Sequence, residues 1–194
     1  MSKPSNQQSE TRKVTGEGRL PGDPRKEDIV ERIIRVDHAG EFGAVRIYEG
    51  QLAVLKNTDE ADTIRHMKEQ EEVHRARFEE LIADRRVRPT ALSPLWNMAG
   101  FALGAGTALL GKEAAMACTE AVEEVIDEHY QSQLDQLGED EAELKEIIQK
   151  FRDEEIEHRD IARERGAAEA PGYEVLTSAV KAGSKLAIWL SSRV

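Results

Sequence analysis

Apolar side chains return at three- and four-residue steps through most of the chain, the period of a helix that buries one face. From about Pro24 to Leu55 the stripe is Ile29, Ile33, Ile34, Val45, Tyr48, Leu52 and Leu55. A second stripe runs from about Asp59 to Val87 through Ile64, Met67, Phe78, Leu81 and Ile82. It stops ahead of Pro89, because the residue before a proline is pushed out of helical conformation. Residues 89–111 carry no charge and read as helical from about Leu95 to Leu110. Charged amphipathic helices resume from about Lys112 to Leu137 and, past Gly138, from about Glu139 to Arg165. A last helix, from about Tyr173 to Ser192, carries Val180, Leu186, Trp189 and Leu190. Four charged helices of roughly 26–32 residues, each about 40–48 Å long, predict an up-and-down bundle of two antiparallel hairpins joined by the uncharged segment. Residues 1–23 have no apolar period and are rich in Ser, Gln, Gly and Pro, so they read as a flexible polar tail ahead of one helical domain over 24–194.

Composition narrows the class further. Aromatic residues make up 5% of the 194 positions, which disfavours an all-β fold, and 38 acidic against 27 basic side chains disfavour nucleic acid as a partner. A single cysteine, Cys118, excludes an internal disulfide or a CxxC site and fits a reducing compartment. The tail lacks the apolar core of a secretory signal, and Glu10, Glu17 and Asp23 interrupt any presequence, so the simplest expectation is a cytosolic bacterial protein.

Of the acidic residues 27 are glutamates, and most belong to ordinary solvated helix surface. Four do not fit that description. Glu71-x-x-His74 and Glu155-x-x-His158 place a carboxylate and an imidazole on one side of their helices, in line with Met67 and Phe78 in the first case and Ile148 and Phe151 in the second. Glu41 falls in the stripe of Ile34, Val45 and Tyr48, and Glu123 in that of Met116, Ile126 and Tyr130. Isolated buried carboxylates cost several kcal/mol each, so four in one core require compensation, which two divalent metals supply. The pattern also repeats between halves, with Glu71 following Glu41 by 30 residues and Glu155 following Glu123 by 32. Each half thus gives one Glu and one Glu-x-x-His to a pseudo-twofold bundle, an oxygen-rich set that suits iron or manganese better than zinc. Glu72, Glu79, Glu80, Glu124, Glu154 and Glu157 read as solvated, and Glu69 and Glu120 are assigned to the surface as well.

The stretch RVDHAGEFGAVRIYEGQ (35–51), with EEVH (71–74), KEAAMACTEAVEEVI (112–126) and FRDEEIEHRD (151–160), resembles the demethoxyubiquinone hydroxylase family of ubiquinone biosynthesis. The resemblance extends from about Ile29 to the C-terminus. It implies a ferritin-like four-helix bundle with a non-haem di-iron centre, ligands at Glu41, Glu71, His74, Glu123, Glu155 and His158, and Glu71 and Glu155 as the bridging pair. The implied reaction hydroxylates the ring of a polyprenyl demethoxybenzoquinol with O2. By the same resemblance Tyr130 and His129 would handle substrate or electrons, against an alternative in which Tyr130 only packs and His129 is partly exposed. Asp37 and His38, one turn before Glu41, are candidates for orienting ligands or for helix surface. Neither Gly16-Glu-Gly18 nor Gly104-Ala-Gly106 continues as a dinucleotide-binding fingerprint, and no P-loop occurs, so electrons are expected from outside or through the quinol.

A quinone with a polyprenyl tail resides in lipid, which predicts a peripheral protein on the cytoplasmic side of the inner membrane. The segment 89–111 is broken by Pro94, Ser93, Asn97 and four glycines, so it reads as a helix lying on lipid or packing in a homo-oligomer rather than as a span. Trp189 with Lys181, Lys185 and Arg193 suits an anionic headgroup surface, or equally a helix that completes the core. Whether a lipid-binding accessory protein presents the substrate is left open by the sequence. Two rivals remain: a ferritin- or rubrerythrin-like iron oxidase or peroxidase, and a metal-free membrane adaptor bundle.

Overall fold

The computed structural model describes residues 22–194; the expected tail lies outside the described residues up to position 21. Among the described residues six α-helices follow in order: α1 (Lys26–Leu55), α2 (Ala61–Arg85), α3 (Ser93–Leu109), α4 (Lys112–Gln136), α5 (Ala142–Glu164) and α6 (Tyr173–Ser191). No strand occurs among the described residues. Helix bounds lie within three residues of those expected from periodicity, the fourth charged helix beginning later because Glu139–Glu141 form a single 3-10 turn. The fold is all-α, with α1 and α2 as one hairpin and α4 and α5 as the other; α3 joins them and packs along α1, while α6 packs along α4.

The bundle core has two apolar ends. One collects Ile33, Ile34, Phe78, Tyr130, Leu144, Ile148 and Phe151. The other collects Tyr48, Ile64, Met67, Met116 and a run of alanines from α4. Burying a side chain of this size contributes about 1.5–3 kcal/mol, so these two clusters dominate the cohesion of the bundle and fix the rotation of each helix about its own axis. That rotation turns the glutamates of the apolar stripes inward.

The uncharged helix α3 lies unusually close to α1. A Cβ at Gly100 would sit 2.9 Å from the Gly43 carbonyl, and one at Gly104 would overlap the Ile47 carbonyl. Gly100-x-x-x-Gly104 therefore serves backbone contact within the chain, at a crossing no larger residue fits. Gly111, between α3 and α4, has φ 127°, a conformation that disfavours any residue with a Cβ, and it lets the chain turn into the second hairpin.

Candidate metal centre

Midway along the bundle, between the two apolar ends, α1, α2, α4 and α5 each turn polar side chains inward. Glu41, Glu71, His74, Glu123, Glu155 and His158 are all at most 1% exposed. They form two overlapping sets whose ligand atoms lie within 4.8 Å of one another: Glu41, Glu71, His74 and Glu155, and Glu71, Glu123, Glu155 and His158. Glu71 and Glu155 belong to both. Both imidazoles turn Nδ1 toward the carboxylates: His74 Nδ1 is 3.1 Å from Glu155 Oε1, and His158 Nδ1 is 3.1 Å from Glu155 Oε2 and 3.2 Å from Glu71 Oε1.

Burial and the meeting of four carboxylates set the electrostatics of this cluster. Burial, then repulsion from Glu155, pushes the Glu71 carboxyl well above the usual carboxylate range, and Glu123 is raised by the same causes in the same order. Burial opposes ionisation of Glu155 as well, but its hydrogen bonds with His158 and His74 prevail and hold it down at about 2. Burial alone would lower His74, yet hydrogen bonds to Glu155 and Glu41 carry it up to about 11. Both Glu71 oxygens, Glu41 Oε2 and Glu123 Oε2 are buried without a hydrogen-bond partner. Unsatisfied buried oxygens converging with two imidazole nitrogens could hold metal ions, and the chemistry of the six residues fits such a role.

Around the six lies a shell of supporting contacts. Tyr48 OH donates to Glu123 Oε1 at 2.9 Å, and Tyr130 OH donates to Glu41 Oε1. Burial, then the adjoining carboxylate, raises both phenols, so each remains a neutral donor. On the far side of each imidazole, His74 Nε2 donates to Glu154 Oε2 at 2.7 Å and His158 Nε2 to Gln70 Oε1 at 3.0 Å.

The outer candidates divide. Tyr130 is buried against Glu41, whereas His129 is partly exposed and belongs to a network in which Gln133 Nε2 donates to Asp37 Oδ1 at 2.6 Å and lies 2.8 Å from His129 Nε2. Burial raises the Asp37 carboxyl despite its contacts with His129. His38 turns from the cluster toward Glu79, 3.9 Å away. Sequence reasoning missed four residues. Tyr48 was assigned to packing alone, and Gln70 drew no attention. Glu154 is not freely solvated, being held against His74. Glu120 is buried rather than on the surface, accepting from Arg163 Nε at 2.6 Å and Tyr173 OH at 2.9 Å.

The family model described as Ubiquinone biosynthesis protein COQ7 matches residues 28–191, which takes in every helix bearing the cluster. The chain belongs to this family. It is 61% identical over 181 residues to the 3-demethoxyubiquinol 3-hydroxylase of Rhodospirillum rubrum, covering 93% of this chain and 85% of that protein. It is also 57% identical over 169 residues to the human mitochondrial NADPH-dependent 3-demethoxyubiquinone 3-hydroxylase, covering 85% of this chain and 78% of the human one. A Dictyostelium discoideum protein of the same printed name is 62% identical over 172 residues, 87% of this chain and 79% of its own. Hydroxylases of such similarity leave the iron oxidase and adaptor alternatives without support.

An apolar cavity of about 310 Å³ lies between α1, α3, α4 and α6, walled by residues that include Gly40, Ala44, Trp96, Leu103, Val122 and Ala187. Gly40 and Val122, which line it, directly precede Glu41 and Glu123 in sequence.

Proposed function

We propose that this chain is a di-iron monooxygenase that hydroxylates the ring of a polyprenyl demethoxybenzoquinol in ubiquinone biosynthesis. The observation that carries the reading is the meeting of four buried glutamates and two histidines in two overlapping sets sharing Glu71 and Glu155. Glu41, Glu71, His74 and Glu155 would hold one iron and Glu71, Glu123, Glu155 and His158 the other. When bound and reduced, the irons supply activation of O2, one atom of which enters the ring while the other leaves as water.

The chain's own residues do the rest. Tyr48 and Tyr130 fix the orientation of Glu123 and Glu41 through their hydroxyl hydrogen bonds, leaving the second oxygen of each carboxylate free to bind metal. The walls contributed by Ala44, Leu103 and Val122 exclude water from the quinol ring beside the centre. His129, carried on the same helix as Tyr130 and in contact with Asp37 and Gln133, offers a polar path from the surface to the buried Asp37 carboxyl, one turn before Glu41.

Leu95, Met98, Leu109 and Leu110 of α3 and its C-terminus, with Leu186 and Trp189 of α6, are all at least half exposed on two of the helices that wall the cavity. No helix among the described residues is long and apolar enough to cross a membrane. A lipid surface suits this face, from which a polyprenyl tail would enter the cavity, and this supports peripheral attachment to a membrane; the expected place is the cytoplasmic side of the inner membrane. Lys181 and Lys185 are ion-paired with Glu124 and Glu128 of α4, so α6 also completes the core, and contact with lipid rests on its apolar residues.

Isotope labelling tests the reaction. Reduced, iron-loaded protein given a demethoxyubiquinol and 18O2 is expected to yield product carrying one 18O atom on the ring. Consumption of O2 with iron oxidation and no labelled ring would overturn the assignment in favour of a ferritin-like iron oxidase.

A further inference from the structure

The two halves of the centre repeat the same ligands and tyrosines and differ around them, as where Phe151 stacks on His74, and most directly at the outer nitrogens of the two histidines. Glu41 and Glu123 are each followed seven residues later by a tyrosine, and each tyrosine donates to the carboxylate of the opposite half, Tyr48 to Glu123 and Tyr130 to Glu41. Glu71 and Glu155 are each followed three residues later by a histidine, and each histidine's outer nitrogen is bonded to the residue preceding the glutamate of the opposite helix. That residue is Glu154 on α5 but Gln70 on α2. His74 therefore donates to a carboxylate, whereas His158 donates to a neutral amide.

The difference falls directly on the ligands. A hydrogen bond from an imidazole to an ionised acceptor is shorter and about twice as strong as one to a neutral acceptor, which the 2.7 Å and 3.0 Å separations reflect. It draws the Nε2 proton outward and raises the basicity of the nitrogen that faces the metal. Lys150 lies 3.8 Å from the other Glu154 oxygen but is 63% exposed, so solvent screens it and the carboxylate's influence on His74 prevails.

We propose that the two metal positions are inequivalent and that Glu154 and Gln70 set the difference: the position bounded by Glu41, Glu71, His74 and Glu155 binds a divalent cation more tightly and fills first. This rests on the metal-centre reading above. Glu154 and Gln70 are positioning residues, acting through the imidazoles and not on substrate. Outer partners of this kind change metal affinity by roughly 10–100-fold, and the expected ratio between positions is at least about tenfold.

The test uses the full chain and Co2+, which needs no exclusion of oxygen. Crystals grown with one equivalent of Co2+ are expected to show anomalous density mainly at the His74 position, and calorimetry with two equivalents to resolve two affinities. Glu154→Gln, which keeps the size and an acceptor oxygen, is expected to weaken the tighter step by about tenfold and leave the other unchanged. Gln70→Glu is expected to tighten the weaker step, and the double variant to reverse the order of filling. Equal filling of both positions, or an order unchanged in the double variant, would overturn the proposal while leaving the metal centre intact. Failure to bind Co2+ at all would overturn both.

Discussion

Replacing Glu71 by leucine is expected to abolish metal binding and hydroxylation while making the metal-free protein more stable. The two effects have opposite signs because the carboxylate is there for the metal and costs the fold. Glu71 is fully buried, neither of its oxygens has a hydrogen-bond partner, and burial with repulsion from Glu155 raises its pKa. Leucine has a similar volume and removes one of the carboxyls that crowd the cluster. His158 keeps its hydrogen bond to Glu155 at 3.1 Å, so the substitution strands no imidazole. Exchanging a buried carboxyl with no hydrogen-bond partner for apolar volume gains about 1–3 kcal/mol, which for a chain of this length raises Tm by roughly 2–12 °C. Thermal unfolding of the metal-free wild type and variant measures it. A lower Tm for the variant would show that the carboxylate supports the fold, as a purely structural core residue would.

Metal binding is expected to weaken as pH falls and to release protons from the ligands near neutrality. Metals bind the deprotonated ligands, so any group that holds its proton in the empty site must lose it. Glu71 and Glu123 are raised above the usual carboxylate range, burial being the main cause, and His74 is raised to about 11 because its hydrogen bonds to Glu155 and Glu41 overcome the burial that would lower it. Glu155, held at about 2 by the imidazoles, is already ionised and releases none. His74 is protonated at neutral pH, and Glu71 and Glu123 hold their protons to higher pH than ordinary carboxylates; binding expels such protons, so acid opposes it. Calorimetric titrations with Co2+ in buffers of different ionisation heat, repeated between pH 6 and 8, count the protons released. A proton count near zero would contradict this account of the ligands.

Much of this centre was legible in the sequence because helix periodicity reports which face a residue occupies. Glu41 and Glu123 stand in apolar stripes, and the Glu-x-x-His pairs share faces with Phe78 and Phe151; burial of those faces places all six together. Periodicity within one helix is silent about contacts between helices, and the misreadings lie there. Glu154 adjoins the inward face of α5 and reaches across to His74, 80 residues away. Glu120 is buried because Arg163 and Tyr173, 43 and 53 residues on, satisfy its carboxylate. The spacing of Gly100 and Gly104 announced a close crossing without naming its partner, which is α1. Even the symmetry of the ligands was visible as a 30- and 32-residue repeat, whereas its break at Gln70 and Glu154 acquires meaning only once both histidines are seen to point at them.

The most direct test of the central claim is the metal content per chain after anaerobic loading with iron and removal of the excess, with His158→Ala as the matched control. The account predicts about two irons per wild-type chain and a loss of at least one in the variant. No retained iron in the wild type, or equal iron in both proteins, would contradict it and leave six buried side chains brought together by helix packing alone.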